Sequence, residues 1–265
     1  MNILYVGDVM GPSGIETMRL LLPSIRREYD VDIVIAQAEN VSNGKGLSVA
    51  DYQTLRSFGV DGFTGGNHSV AKPEIFPLLS DANAPVTAPA NMQDCPGPGY
   101  KYISVGNRRV LIISLLGQIV GRDADKPATN PLKKIDEILA REKMPEKGAI
   151  IVNFHGDYSS EKVVIGHYLD ERVSAVIGDH WHIPTADARV LPGGTAHQTD
   201  VGMVGVLNSS LGVAYDSIIP RWRDGRQTRN VLVDTPPYQF NALLVTTNEA
   251  GLATSAQSIQ KIISA

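Results

Sequence analysis

The sequence predicts an α/β fold whose core is a mixed, two-layered β-sheet flanked by helices. Three observations carry that expectation. Short apolar runs alternate with amphipathic stretches in the first third, which is the mark of βα units. A Gly106-Asn107 turn between two apolar runs predicts that the sheet turns antiparallel in the middle. The βα alternation then resumes after residue 130, with no internal repeat, low-complexity tract or linker, so residues 1–265 are expected to form a single domain.

The elements follow in order. Ile3 to Val6 is a short apolar run and predicts a strand. Ile15 to Tyr29 places Met18, Leu21, Leu22 and Ile25 on one helical face, with Arg19, Arg26 and Arg27 largely opposite. Asp32 to Ala36 is the next strand. Ser48 caps a helix running to about Ser57, Gly59 ends it, and Gly62 to Thr64 is a third strand. Pro85, Pro89, Pro96 and Pro98 mark a long connection. Tyr102 to Val105 and Arg109 to Leu115 form the predicted hairpin. Then come a helix over 131–141, a strand over 149–154, a helix over 160–169 and a strand over 174–177. The polar, proline-bounded stretch Arg221 to Pro237 predicts a surface loop before a last strand, Phe240 to Thr246.

Composition narrows the functional classes. With 43% hydrophobic and 20% charged residues the chain is of ordinary globular type. A net charge of −4 argues against nonspecific nucleic-acid binding, which needs a Lys/Arg surplus, and leaves small anionic ligands open. The apolar stretch from Val110 to Val120 is interrupted by Ser114, Gly117 and Gln118 and falls short of the roughly 20 residues that span a bilayer, so no membrane association is expected. The single cysteine, Cys95, forms no intramolecular disulfide, and the start of the chain lacks a basic, signal-like region; both predict a cytoplasmic location.

The predicted strands end in Asp8, Glu39-Asn40, Asn67-His68, His155 and His180-x-His182. In open α/β sheets ligands bind outside the carboxyl ends of strands, so these residues are expected to converge. Taken singly, each has a plainer reading as a core histidine, turn-former or loop cap. Together, without a basic partner in each cluster, they fit the coordination of divalent cations, and their oxygen and imidazole donors suit Mn, Fe, Zn or Co better than Ca or Mg. On extended backbone the two rings of His180-x-His182 would point to one side. Trp181 between them is expected to pack as a core aromatic, and His167 and His197 to be structural or peripheral. Asn43-Gly44-Lys45-Gly46 lacks the spacing of a phosphate-binding P-loop and predicts a flexible turn with a possible gating role.

The ordered blocks Gly7-Asp8-Val9-Met10-Gly11, Ala38-Glu39-Asn40, Gly65-Gly66-Asn67-His68, Phe154-His155 and Gly178-Asp179-His180-Trp181-His182 resemble those of the calcineurin-like metallophosphoesterases. The likeness is greater to the YmdB-type branch. It extends to Ser159-Ser160-Glu161-Lys162, Thr185-Ala186-Asp187, Leu191 to Ala196 and Thr199-Asp200-Val201-Gly202-Met203, covering about residues 1–220. The resemblance implies the calcineurin-like metallophosphoesterase fold and a dinuclear metal site. Asp8, Glu39, Asn40 and His182 would hold one ion, while a bridging Glu39 with Asn67, His155 and His180 would hold the other. It implies hydrolysis of phosphodiesters of the 2′,3′-cyclic nucleotide kind by attack of a metal-bridging hydroxide, with His68 as general acid or charge stabiliser.

No histidine follows Asp8, which favours iron or manganese over zinc, with cobalt and magnesium as further options. Two divalent ions against two carboxylates would leave a positive field for a phosphate. Competing expectations are a phosphomonoesterase of the nucleotidase type, or a regulatory protein whose metals are structural or sensory. An RNA-related partner is disfavoured by the acidic balance and the lack of a recognisable aromatic-basic patch. The chain departs from the pattern at Gly156-Asp157-Tyr158, where an Ala-Glu-Ala-like stretch is expected, and at Asp179 and Trp181, where small hydroxylated residues are expected.

Overall fold

The computed structural model describes residues 1–120, 128–146 and 148–264. In chain order it contains β1 (Asn2–Val6), β2 (Asp8–Val9), α1 (Gly11–Glu28), β3 (Ile33–Gln37), α2 (Val49–Ser57), β4 (Gly62–Thr64), α3 (Phe76–Ser80), β5 (Tyr100–Val105) and β6 (Arg108–Leu116). There follow α4 (Pro131–Arg141), β7 (Ala149–His155), α5 (Ser159–Tyr168), β8 (Ala175–Asp179), β9 (Arg189–Val190), β10 (Ala196–Gln198), β11 (Met203–Val206), α6 (Tyr215–Asp224), β12 (Tyr238–Thr247) and β13 (Ala253–Ile263).

Two mixed sheets result. One runs β2-β11-β12-β1-β3-β4, with β13 also paired to β12; the other runs β5-β6-β7-β8-β10-β9. They pack face to face through Ile3, Tyr5, Ile33 and Ile35 on one side and Val110, Ile112, Ile151 and Ile177 on the other. The alternate residues of β1, Leu4 and Val6, point outward to Met18, Leu22 and Ile25 of α1. On the far side Leu111, Ile113 and Val152 meet Ile135 of α4 and Ile165 of α5. Strands covered on both faces are apolar at most positions, which is why they read as near-continuous hydrophobic runs. Each such Leu or Ile contributes about 1.5–3 kcal/mol by leaving water.

Most predicted elements are present with shifted ends. Helix α1 starts earlier than expected because Pro12 suits a first helical turn. Ser48 caps α2 by accepting the Asp51 N–H. Two expectations fail. The stretch read as a loop from Arg221 includes the last turn of α6, a helix that fully buries none of its residues and packs only Ile218 against the small Met10-Met203-Val213 cluster, so little of it stands out in the sequence. Beyond the last expected strand lies β13, which pairs with β12 along its length; only Ala253 and Ile259 are buried, so its sequence looks polar. The short strands β9, β10 and β11 are likewise additional to the sequence reading.

Candidate active site

The predicted site residues sit where the strands of both sheets end. Between β1 and β2 the backbone of Gly7 lies against Gly202, so close that a Cβ there would fall 2.1 Å from the Gly202 carbonyl oxygen. That contact jogs the chain and starts β2 at Asp8, whose side chain is fully buried. After β3 comes Ala38-Glu39-Asn40. After β4, Gly65-Gly66 leads to Asn67 and His68, and a Cβ on Gly66 would lie 2.3 Å from Glu39 Oε2 and 2.5 Å from His155 Cδ2. Glycine at 66 is what lets Glu39 and His155 approach each other. His155 is the last residue of β7, and His180 and His182 follow the end of β8.

All eight predicted residues fall into one connected set of contacts. Asn40 Nδ2 faces Asp8 Oδ1 at 3.3 Å, Glu39 Oε1 at 3.2 Å and His182 Nε2 at 3.3 Å. His182 Nε2 is 3.6 Å from Asp8 Oδ1. On the other side of Glu39, its Oε1 is 3.2 Å from His155 Nε2, which is 2.9 Å from Asn67 Oδ1. The His180 ring stands edge-on to that of His155 at 4.4 Å, and the His180 N–H donates to Asp8 Oδ2 at 3.3 Å. One donor atom each of Glu39, His155 and His180 lie within 4.8 Å of one another. His68 donates its backbone N–H to Glu39 Oε2 at 2.8 Å, and its Nδ1 is 2.9 Å from Asn40 Oδ1.

These groups fit a cation. Burial, and then the charge of Asp179, push the Asp8 carboxyl well above its ordinary range. Burial alone would raise Glu39 too, but the His155 and His68 imidazoles outweigh it and hold Glu39 well below. Burial opposes protonation of His155, yet Glu39 and Asp179 raise it overall. Burial, then the charge of His180, bring His182 down to about 4. His182 Nδ1 is buried with no hydrogen-bond partner among the described residues. Buried carboxyl groups beside imidazoles, one of them His182 with an unpartnered ring nitrogen, are the donor types of a transition-metal site.

Three expectations are corrected. His180-x-His182 is not extended: His180 has φ 102° and His182 φ 62°, so a left-handed turn, not strand alternation, brings both rings inward. Trp181 is not a core residue but half-buried. Its ring lies 4.0 Å from the Lys162 ammonium, and its indole N–H donates to the Asp157 carbonyl. The charge count also changes. Asp179, treated in the sequence as part of altered surroundings, is a third fully buried carboxylate, with Oδ1 2.6 Å from His155 Nδ1. Its Oδ2 accepts from the Tyr5 hydroxyl and from Gln37 Nε2. Asp157 Oδ2 is 3.3 Å from His180 Nε2.

Sequence reasoning therefore missed Asp179, Gln37 and Tyr5 behind His155, and a second buried pair behind the 180–182 turn. Lys162, fully buried, donates to Asp200 Oδ2 at 2.7 Å and to the Asp179 carbonyl at 2.7 Å, and the same Asp200 oxygen accepts the Trp181 N–H at 2.9 Å. The signal was present, since Lys162 and Asp200 lie in stretches that carried the family resemblance. His197 is buried in β10, its Nδ1 2.9 Å from the Val176 carbonyl, in a structural setting as expected.

A family model described as YmdB-like protein matches residues 4–262. The chain belongs to the YmdB-like family. It is 37% identical over 230 residues to the 2′,3′-cyclic-nucleotide 2′-phosphodiesterase of Bacillus subtilis, covering 86% of this chain and 85% of that protein. Among solved structures it is similar to a hypothetical protein of Thermus thermophilus, with TM-score 0.89 and 35% identity over 99% of both chains. A novel phosphatase of Mycoplasma pneumoniae also gives TM-score 0.89, at 27% identity, over 99% of this chain and 93% of that one. A 5′-nucleotidase precursor of Thermus thermophilus, at 15% identity and TM-score 0.54, shares the fold. The fold of this YmdB-like chain is that of the calcineurin-like metallophosphoesterases, which implies divalent metal ions. Among the described residues no helix is long and apolar enough to cross a membrane.

Proposed function

We propose that this YmdB-like chain is a metal-dependent phosphodiesterase acting on 2′,3′-cyclic nucleotides in the cytoplasm, with residues 1–265 working as one unit. The observation that carries this reading is the position of Glu39, whose carboxylate touches both halves of the donor set. Asp8, Asn40 and His182 would hold one ion with Glu39, and Asn67, His155 and His180 the other. When bound, two divalent ions supply Lewis acidity to a phosphoryl oxygen and a lowered pKa to water. Oxygen-rich ligation around Asp8 favours iron or manganese.

The protein's own residues orient and protonate. His68 is fixed by its N–H to Glu39 and by Nδ1 against Asn40 Oδ1, which assigns proton delivery to Nε2. A histidine with its other nitrogen so held is oriented to protonate a leaving ester oxygen. Asp179 holds His155 in one tautomer, with Nδ1 toward the carboxylate and Nε2 toward the donor set. The third carboxylate reduces the positive field that two ions would leave, which suits a singly charged diester better than a doubly charged monoester. The test compares bis-aryl and mono-aryl phosphates with manganese supplied: the diester should be preferred, and a clear preference for the monoester would overturn the assignment. Metal analysis of protein purified without added salts should find iron or manganese; zinc alone would overturn that part.

A further inference from the structure

Beside His68 opens a cavity of about 780 Å³ whose far wall is the segment after α6. Its lining includes Lys45, Arg221 and Arg229 and, among the described residues, no carboxylate. In a chain of net charge −4, Arg221 and Arg229 make the described part of this lining locally positive.

The walls are built. Asn43, Gly44 and Gly46 all have left-handed φ, and a Cβ on Gly44 would lie 3.2 Å from both Leu232 and Met10. The turn after Asn40 is thus pressed against the 225–232 segment rather than loose. That segment is tied down in turn: Ala214 N–H donates to the Val231 carbonyl and Val233 N–H to the Gly212 carbonyl. Arg221 donates to the Thr228 carbonyl at 2.8 Å and to Asn230 Oδ1 at 2.9 Å. These acceptors are neutral, and no carboxylate pairs with Arg221 among the described residues. Asp224 instead takes Arg223 at 2.8 Å and Arg226 at 3.7 Å, and neither of those lines the cavity. Arg229 is exposed and pairs with no carboxylate among the described residues.

A nucleoside 2′,3′-cyclic phosphate carries one phosphate, and the donor set around Glu39 takes it. Arg221 and Arg229 of the same cavity are then left over once that one phosphate is placed. We propose that this cleft is a second anion subsite for a phosphate on the ribose 5′ oxygen, so that the preferred substrate carries two phosphates. The inference rests on the phosphodiesterase reading. Two sources supply the same group: a 5′-phosphorylated mononucleotide, or the internucleotide phosphate of a short RNA ending in a cyclic phosphate. Arginine suits either, because its planar fork pairs with phosphate oxygens in two-point contacts.

The test measures kcat/KM for adenosine 2′,3′-cyclic phosphate, its 5′-phosphorylated form and a diadenylate ending in a 2′,3′-cyclic phosphate. Calorimetry in parallel measures binding of adenosine 3′-monophosphate, adenosine 3′,5′-bisphosphate and diadenylate 3′-phosphate to metal-loaded protein. One added charge-assisted contact should favour the two-phosphate ligands by about tenfold. Preference for both assigns recognition to the phosphate alone, and preference for the dinucleotide alone assigns the cleft to an RNA end. Arg229→Gln should bring the ratio toward one, and Arg229→Lys should restore part of it, with unchanged thermal midpoints showing that the fold is intact. Equal values for one- and two-phosphate ligands, or a preference that survives Arg229→Gln, overturn the subsite. If the one-phosphate substrate is still hydrolysed, the phosphodiesterase reading stands without it. If nothing is hydrolysed that reading falls, and the calorimetric ratios still decide the subsite.

Discussion

Asp179 shows how a single side chain tunes the donor set from behind. It is fully buried, pairs with His155 Nδ1 and accepts from Tyr5 and Gln37, so its charge is held in place by neutral donors as well as by the imidazole. Removing such a carboxylate from behind a ligand histidine costs about 10–100-fold in metal affinity. Asp179→Asn keeps the shape and loses the charge, so a chelator-competition titration should find weaker metal binding in that range; unchanged affinity would refute the role. A second residue-scale expectation concerns pH. The His182 value near 4 lies below its ordinary 6.5, so between those values the unfolded chain binds more protons than the folded one. The contribution of His182 to stability is therefore complete above about pH 6.5 and is lost as pH falls toward 4. In chelator-treated protein, wild type should lose stability relative to His182→Gln as pH is lowered through that window. Parallel profiles for the two proteins would count against it.

At the scale of elements, the turn after β8 is held by a buried ion pair that bridges α5 to the segment before β11. Lys162 and Asp200 are both fully buried, and Asp200 also accepts the Trp181 N–H in the middle of the turn. Lys162→Met strands the Asp200 charge and should destabilise the protein by about 3–5 kcal/mol. Adding Asp200→Leu should recover much of that stability, because two matched apolar groups replace the pair. Metal affinity should not recover with it, since nothing then fixes the Trp181 N–H. A double variant with wild-type metal binding would show the pair to be packing alone. This network marks the limit of what the sequence made legible. Strands such as β1 and β3 carry runs of four apolar residues because both faces are covered, and they stand out; β13 and α6 bury little and do not. The residues that converge at the candidate site could be read from their repeated place at strand ends. Lys162, Asp179 and Asp200 stand in the motif blocks too, but their burial could not be read, because charged residues are ordinarily exposed and nothing local says that these three are enclosed. Nor did the spacing of His180 and His182 disclose a left-handed turn, since neither residue type requires one.

For the whole molecule, the proposed donors run from residue 8 to residue 182 and come from both sheets: Asp8, Glu39, Asn40 and Asn67 from one, His155, His180 and His182 from the other. An unfolded chain cannot assemble groups so far apart in sequence, so metal binding belongs to the folded state and must stabilise it by mass action. At a thousandfold excess over Kd one site contributes about 4 kcal/mol. For a chain of this size that corresponds to roughly 10 °C in thermal midpoint. Adding manganese to chelator-treated protein should therefore raise the midpoint by that order. The dependence on individual donors separates a shared site from two independent ones. Asn67 Oδ1 faces His155 Nε2 on one half of the set, whereas Glu39 contacts both halves. Asn67→Ala should abolish part of the metal-induced shift, and Glu39→Gln nearly all of it. Equal partial losses in the two variants would mean that Glu39 serves one ion only and that the sheets are not joined through it.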